Sequence, residues 1–234
     1  WPSERAGKFI QRASVRAASR FVSAIAARNL APQTQRVYIV LLSSLYQRLK
    51  ASRLVDFDIF TSFVSLNFRE ENRRESPMIP FERVQTLIEM PPANKHDGIR
   101  DRAMLAVLFG CGLRRSEVRM LRIGDIMLNA KGVPYLRLRA TKGGRSDNQP
   151  LPAWVVEYLT PLVFLRAQQG ADDTNWLFVR ETSRGFEQIG DKFLYRRFKL
   201  YCARAGLDPA ASPHSARATA ITKLLAEGVA HKRV

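Results

Sequence analysis

Three short segments of the sequence carry residue types that together could hold a phosphate group. In Gly112-Leu113-Arg114-Arg115-Ser116-Glu117-Val118, an arginine follows a glycine suited to a helix C-terminus, and a carboxylate stands three residues further on. In Ala140-Thr141-Lys142-Gly143-Gly144-Arg145, the glycines let a long basic side chain and backbone amides approach an anion closely. In Pro213-His214-Ser215-Ala216-Arg217, a histidine and an arginine lie three apart behind a proline, so a helix starting there puts both on one face. That end of a helix favours anions through its free amides and dipole. Each residue alone also fits a plainer role: a solvated or paired surface arginine, a turn lysine, a helix-capping histidine.

The elements that must position these residues are mostly helical. Apolar residues recur at helical spacing from Ser3 to Asn29, predicting one or two helices, and from Gln33 to Leu49, where Val37, Val40, Leu41, Leu45 and Leu49 form a stripe. A further helix is expected over Asp56 to Phe68 with Asp56 as its cap. The segment REENRRESPMIP, 69–80, loses the apolar period and ends in prolines, so it reads as a linker. Beyond it come a helix over Glu82 to Met90 and a buried apolar helix over Asp101 to Gly110. A half-exposed strand over Val133 to Arg139 then turns at Gly143-Gly144 and returns over Asn148 to Leu151. Helices over Pro152 to Gln169, Ile189 to Ala205 and Pro213 to Glu227 follow, the last stopped by Gly228. The expected fold class is mainly α with a small β-hairpin, α+β, in two domains: an all-helical domain over 1–68, the linker over 69–80, and a second domain over 81–234.

Charge narrows the class of partner. Thirty-eight Lys and Arg against 21 Asp and Glu give +17, which points to a polyanion. Residues 1–78 carry 13 basic and 6 acidic residues (+7) and the remainder 25 and 15 (+10), so both halves are expected to touch it. Steep loss of affinity with salt should follow. No apolar run of membrane-spanning length occurs, so the chain reads as soluble and intracellular. Cys111 and Cys202, far apart in apolar helical patterns, fit buried thiols rather than a disulfide or zinc cluster. The chain begins at Trp1 and its last residues show no tapering polar tail, so both ends are read as cut.

In their order and spacing GLRRSE, TKGGR and PHSAR running into ITKLLAEG resemble the catalytic domain of the tyrosine recombinase and phage integrase family. The resemblance covers about Phe21 to Val234; Leu224, Leu225 and Gly228 fit the continuation, and Asn29-Leu30-Ala31-Pro32-Gln33-Thr34 through Tyr38 looks like the opening of its helical core-binding domain. It implies catalytic roles for Arg114, Lys142, His214 and Arg217, with Glu117 and Asp125 in support. Thr34, Arg36, Arg115, Gly143 and Arg145 are then expected to contact DNA. Where relatives often place a histidine after the second arginine, this chain has Ala218. All six tyrosines precede His214, so the nucleophilic tyrosine is expected outside this chain.

The reaction so implied needs no metal or cofactor. A tyrosine attacks the scissile phosphate, a 3′-phosphotyrosyl ester keeps the bond energy, and a 5′-hydroxyl later reverses the step. The resemblance assigns charge stabilisation to Arg114 and Arg217, protonation of the leaving 5′-oxygen to Lys142 and assistance to His214. The expected partner is double-stranded DNA, gripped between the two domains. A homotetramer on two duplexes is expected for the full-length protein and a DNA-binding, non-cleaving monomer for this chain. A bacterial cytoplasmic, nucleoid-associated integrase of a mobile element is the expected setting. Two rivals stay open: a non-enzymatic helical DNA-binding regulator, which needs only phosphate contacts, and a metal nuclease, for which the sequence offers no convincing carboxylate or histidine cluster.

Overall fold

The computed structural model describes residues 13–66, 77–139 and 146–226. Contacts divide the chain into two compact units, Trp1–Arg74 and Glu75–Val234, each described here by itself.

The first unit holds α1 (Val15–Ala26), α2 (Pro32–Ala51) and α3 (Thr61–Leu66). The Ser14 hydroxyl caps α1 by accepting the Ala17 N–H at 3.3 Å, and Pro32 sits at the first position of α2, where no amide is needed. Two expectations shift here. The face of α2 buried in this unit is Ile39, Ser43 and Tyr46, packed with Ala18, Ile59 and Phe60; of the stripe chosen from spacing, Leu41 is 61% exposed and Val37, Val40 and Leu45 are exposed with it. Both faces of α2 are apolar enough to satisfy the period, and only the neighbouring helices select one. The third helix starts later than predicted, at Thr61, and Asp58 rather than Asp56 closes the turn before it. Its carboxylate accepts the Phe60 N–H at 2.8 Å and the Thr61 hydroxyl at 2.9 Å, and the Ser43 hydroxyl of α2 at 2.5 Å.

The second unit is built on α5 (His96–Cys111), whose residues Ala103 to Leu108 are wholly buried. Around it pack α4 (Phe81–Glu89), α7 (Ala153–Gln168) and α9 (Pro213–Ala226). The short α6 (Arg115–Arg119) and a 3₁₀ turn (Ile123–Asp125) lead into an antiparallel sheet of β1 (Ile126–Leu128), β2 (Pro134–Leu138) and β3 (Asp147–Pro150). In its register Leu136 faces Ile126 on one side and Gln149 on the other. A second hairpin, β4 (Val179–Thr182) with β5 (Gly185–Gln188), precedes α8 (Asp191–Arg204). The chain is mostly helical with small antiparallel sheets, as expected; β1 and the β4–β5 hairpin are additions. Cys111 and Cys202 are buried thiols, which burial pushes up to about 12 and about 11, leaving them inert at neutral pH.

The start of this unit is pinned to α9 by one side chain. The buried Thr219 hydroxyl accepts the Ile79 N–H at 3.1 Å and donates to the Ile79 carbonyl at 3.0 Å. Thr219→Val keeps the volume and strands both backbone groups, each costing about 1–3 kcal/mol when buried and unpaired. The variant is expected to lose that much stability in urea titration; an unchanged midpoint would show that water replaces the hydroxyl.

Candidate active site

At the end of α5, Gly112 takes the left-handed conformation (φ 60°), which turns the chain out of the helix without the strain a Cβ would bring. Two residues on, Arg114 is the extended residue that opens α6. Glu117 reaches back from the third position of that helix: one carboxylate oxygen accepts the Arg114 N–H at 2.7 Å and the other accepts Arg114 Nη1 at 2.6 Å. This is half of a capping box, since an arginine cannot accept in return. The largely buried Glu117 carboxylate thus fixes the direction of Arg114, whose side chain stays 41% exposed to receive something else.

Arg217 comes to the same place from α9. Its Nη1 donates to the Gly112 carbonyl, and a Cβ on Gly112 would lie 3.4 Å from the Ala220 methyl, so the two elements meet closely. Burial lowers the Arg217 pKa, the positive charge of Arg114 lowers it further, and Glu117 opposes both. The two guanidiniums are thus near enough to repel, and the Glu117 carboxylate that pairs with Arg114 attracts both. Arginine does not give up its proton there; the repulsion is a standing preference for an anion.

Local sequence explains how Arg217 and His214 are presented. Pro213 opens α9, Ser212 precedes it, and the buried Ser215 hydroxyl accepts the Ser212 N–H at 3.1 Å while the Ser215 N–H donates to the Ser212 carbonyl at 2.8 Å. That closed first turn leaves His214 exposed and Arg217 half-buried at i and i+3.

The other sequence-nominated residues lie as follows. Arg115 is half-buried with its guanidinium over the Tyr195 ring at 5.7 Å. Asp125, 1% exposed, accepts the Arg122 N–H at 2.9 Å and the Nε groups of Arg137 at 3.3 Å and Arg139 at 2.8 Å, and it shares a cavity wall with Glu117. Thr34 and Arg36 are exposed on the first turns of α2 in the other unit. Lys142, Gly143 and Arg145 lie outside the described residues. The Gly112 carbonyl, the partner of Arg217, carries no signal in the sequence. Arg137 and Arg139 carry no signal beyond the half-exposed strand expected over Val133 to Arg139. Tyr201 is wholly buried, and burial with the nearby Asp101 pushes its hydroxyl up to about 12, which suits a structural donor rather than a nucleophile.

In this largely helical unit two arginines and a glutamate converge where a glycine-terminated helix meets the first turn of another, an arrangement that suits an anion. Residues 77–234 match the Phage integrase family, and the chain belongs to that family, the tyrosine recombinases. Tyrosine recombinase XerA of Pyrococcus furiosus is 33% identical over 178 residues, 73% of this chain and 58% of its own length. Tyrosine recombinase XerC of Proteus mirabilis is 32% identical over 127 residues, 54% of this chain and 39% of its own. The chain spans about half the length of the curated relatives it matches. Among solved structures, the Tn1549 transposon integrase in complex with circular intermediate DNA superposes with a TM-score of 0.67 at 17% identity, over 95% of this chain and 76% of that one. XerH site-specific recombinase bound to palindromic difH gives 0.69 at 17%, over 94% and 61%. These two establish the fold. Among the described residues no helix is long and apolar enough to cross a membrane.

Proposed function

We propose that the chain is the DNA-binding and phosphate-activating part of a site-specific recombinase that breaks and rejoins DNA strands through a 3′-phosphotyrosyl intermediate. The observation that carries this reading is the meeting of Arg114 and Arg217 at Gly112, held by Glu117 and the Gly112 carbonyl. Two guanidinium forks on one phosphate match its oxygens and stabilise the extra negative charge of a five-coordinate transition state. A tyrosine hydroxyl then gives up its proton with assistance from His214 as its oxygen bonds to phosphorus and the P–O5′ bond breaks, and the 5′-oxygen takes a proton from Lys142. Rejoining runs the same steps backwards. His214, exposed beside Arg217, orients the phosphate or assists proton transfer. The net charge of +17, spread over both halves, supports duplex DNA as the partner.

None of the six tyrosines is assigned the nucleophile, since all precede His214 and the buried Tyr201 is committed to Asp101. The 234-residue chain is therefore expected to bind DNA and form no covalent adduct. The complete gene product, incubated with nicked cognate or genomic-junction DNA in EDTA, is expected to give an adduct on a denaturing gel that Arg114→Ala removes. An adduct formed by this chain would overturn the assignment of the nucleophile. Tight, salt-sensitive binding with no adduct from the complete product would favour the DNA-binding regulator.

A further inference from the structure

Beside the Arg114–Glu117 pair the second unit has a cavity of about 140 Å³ whose wall includes Glu117, Arg122, Asp125, Arg137, Arg139 and Trp176. Its charges do not balance. Glu117 is engaged by Arg114 and Asp125 by Arg137 and Arg139, while the Arg122 guanidinium in the same wall has no carboxylate partner among the described residues. A nearly fully buried carboxylate needs one cation to offset its desolvation; Asp125 holds two by their Nε atoms. Engagement through Nε leaves the Nη ends of the arginines for other partners. Arg137 uses Nη2 on the Gly124 carbonyl at 3.2 Å, and the Nη groups of Arg139 have no partner among the described residues. The side chains are 39% and 50% exposed. The third cation, Arg122, is fixed by stacking 4.4 Å over the Trp176 ring and by a hydrogen bond to the Thr174 carbonyl.

Arginines on a half-exposed strand are ordinarily solvated, and exposed ion pairs add little to stability. Here the carboxylate lies behind the guanidiniums, at 1% exposure, and acts as a bracket for their orientation. We propose that Arg137 and Arg139, bracketed by Asp125, form with Arg122 a second phosphate site, which takes a DNA backbone phosphate flanking the one held by Arg114 and Arg217. Planar forks of fixed direction suit a phosphodiester better than mobile lysines do. The shared wall at Glu117 makes the two sites neighbours, so the second would set the register of the duplex before any bond is broken. The site rests on the reading of the chain as a DNA-binding protein.

The test is a titration of a short labelled duplex of arbitrary sequence with this chain, repeated between about 50 and 200 mM salt, since each neutralised phosphate adds about 0.9 to the slope of log affinity against log salt. Arg139→Gln is expected to weaken binding and flatten the slope by about 0.9, and Arg137→Gln with Arg139→Gln by about twice that. Arg139→Lys, which keeps the charge, is expected to keep most of the slope. Arg180→Gln is the control: its partner Glu187 is on the other hairpin, its side chain is 49% exposed, and the net charge changes equally. If Arg139→Gln destabilises the fold by stranding Asp125, the same substitution combined with Asp125→Asn removes that cause and is expected to show the same flattened slope. A slope unchanged by Arg139→Gln, or flattened equally by Arg180→Gln, overturns the site. A wild-type chain whose binding ignores salt would instead sink the DNA-binding reading itself, which separates the two failures.

Discussion

In the complete gene product, Arg217→Ala is expected to slow strand cleavage by about 10²–10³-fold, the usual loss when one preorganised donor to a developing anion is removed. Duplex affinity should change far less. The distinction follows from where Arg217 sits. It is half-buried, aimed by its bond to the Gly112 carbonyl, and held against the charge of Arg114. An arginine kept for general attraction to DNA would gain nothing from such a placement, because exposed guanidiniums attract a duplex equally well. Repulsion between two cations is a cost to the free protein that an anion in the site recovers, and its benefit is largest when the phosphate carries its greatest charge. The readouts are the initial rate of covalent adduct formation and the dissociation constant measured on the same duplex. Arg217→Lys is a useful companion, since it keeps the charge but loses the planar fork and should recover only part of the rate. Cleavage at the wild-type rate, or binding and cleavage falling in parallel, would remove Arg217 from the chemistry and favour the regulator.

How far this site could be read from sequence depended on the kind of information each part required. Glycine and proline mark the element ends at which Arg114, His214 and Arg217 sit, but only the family resemblance of the ordered motifs singles them out with Glu117, and the structure brings Arg114, Glu117 and Arg217 together at Gly112. The Gly112 carbonyl was invisible because any residue supplies a carbonyl; only the left-handed turn and the approach of Ala220 single it out. Strand β1 has three residues, too few for alternation to register, and β4 and β5 carry polar and apolar residues in no clean period, their turn marked mainly by Gly185 at φ 106°. The core helix α5 was expected from Asp101 but starts at His96. Its first five residues include His96, Asp97 and Arg100, which a hydrophobic pattern assigns to a loop. The error on α2 has a related cause: periodicity reports that a face is apolar, not which neighbour covers it.

The second turn of α5 yields the largest expected loss of stability. Asp101→Ala should destabilise the second unit by about 3–5 kcal/mol, the range for removing one partner of a buried charged network. Asp101 is wholly buried; Oδ1 accepts Arg100 Nε at 2.9 Å and Nη2 at 2.8 Å, and Oδ2 accepts Arg197 Nε at 2.5 Å and the Tyr201 hydroxyl at 2.8 Å. One carboxylate thereby ties α5 to two positions of α8, while Arg100 continues through its Nη1 to the β4 carbonyl of Val179 at 3.1 Å. Without Asp101, Arg100 remains 4% exposed with only the solvent-facing Asp97 as counter-charge. Burial lowers the Arg197 pKa, but Asp101 outweighs it and leaves the value raised, so that guanidinium also loses its main stabilising neighbour. Asp101→Asn keeps the shape and one acceptor oxygen and should cost less than Asp101→Ala, because the charge is lost but not every hydrogen bond. Urea titration of each variant, followed by a probe confined to the second unit, measures both. A loss below about 1 kcal/mol for Asp101→Ala would mean that water enters and solvates Arg100, which would place α5–α8 cohesion in apolar contacts such as Phe109 on Phe198, stacked at 6.1 Å, rather than in the ions.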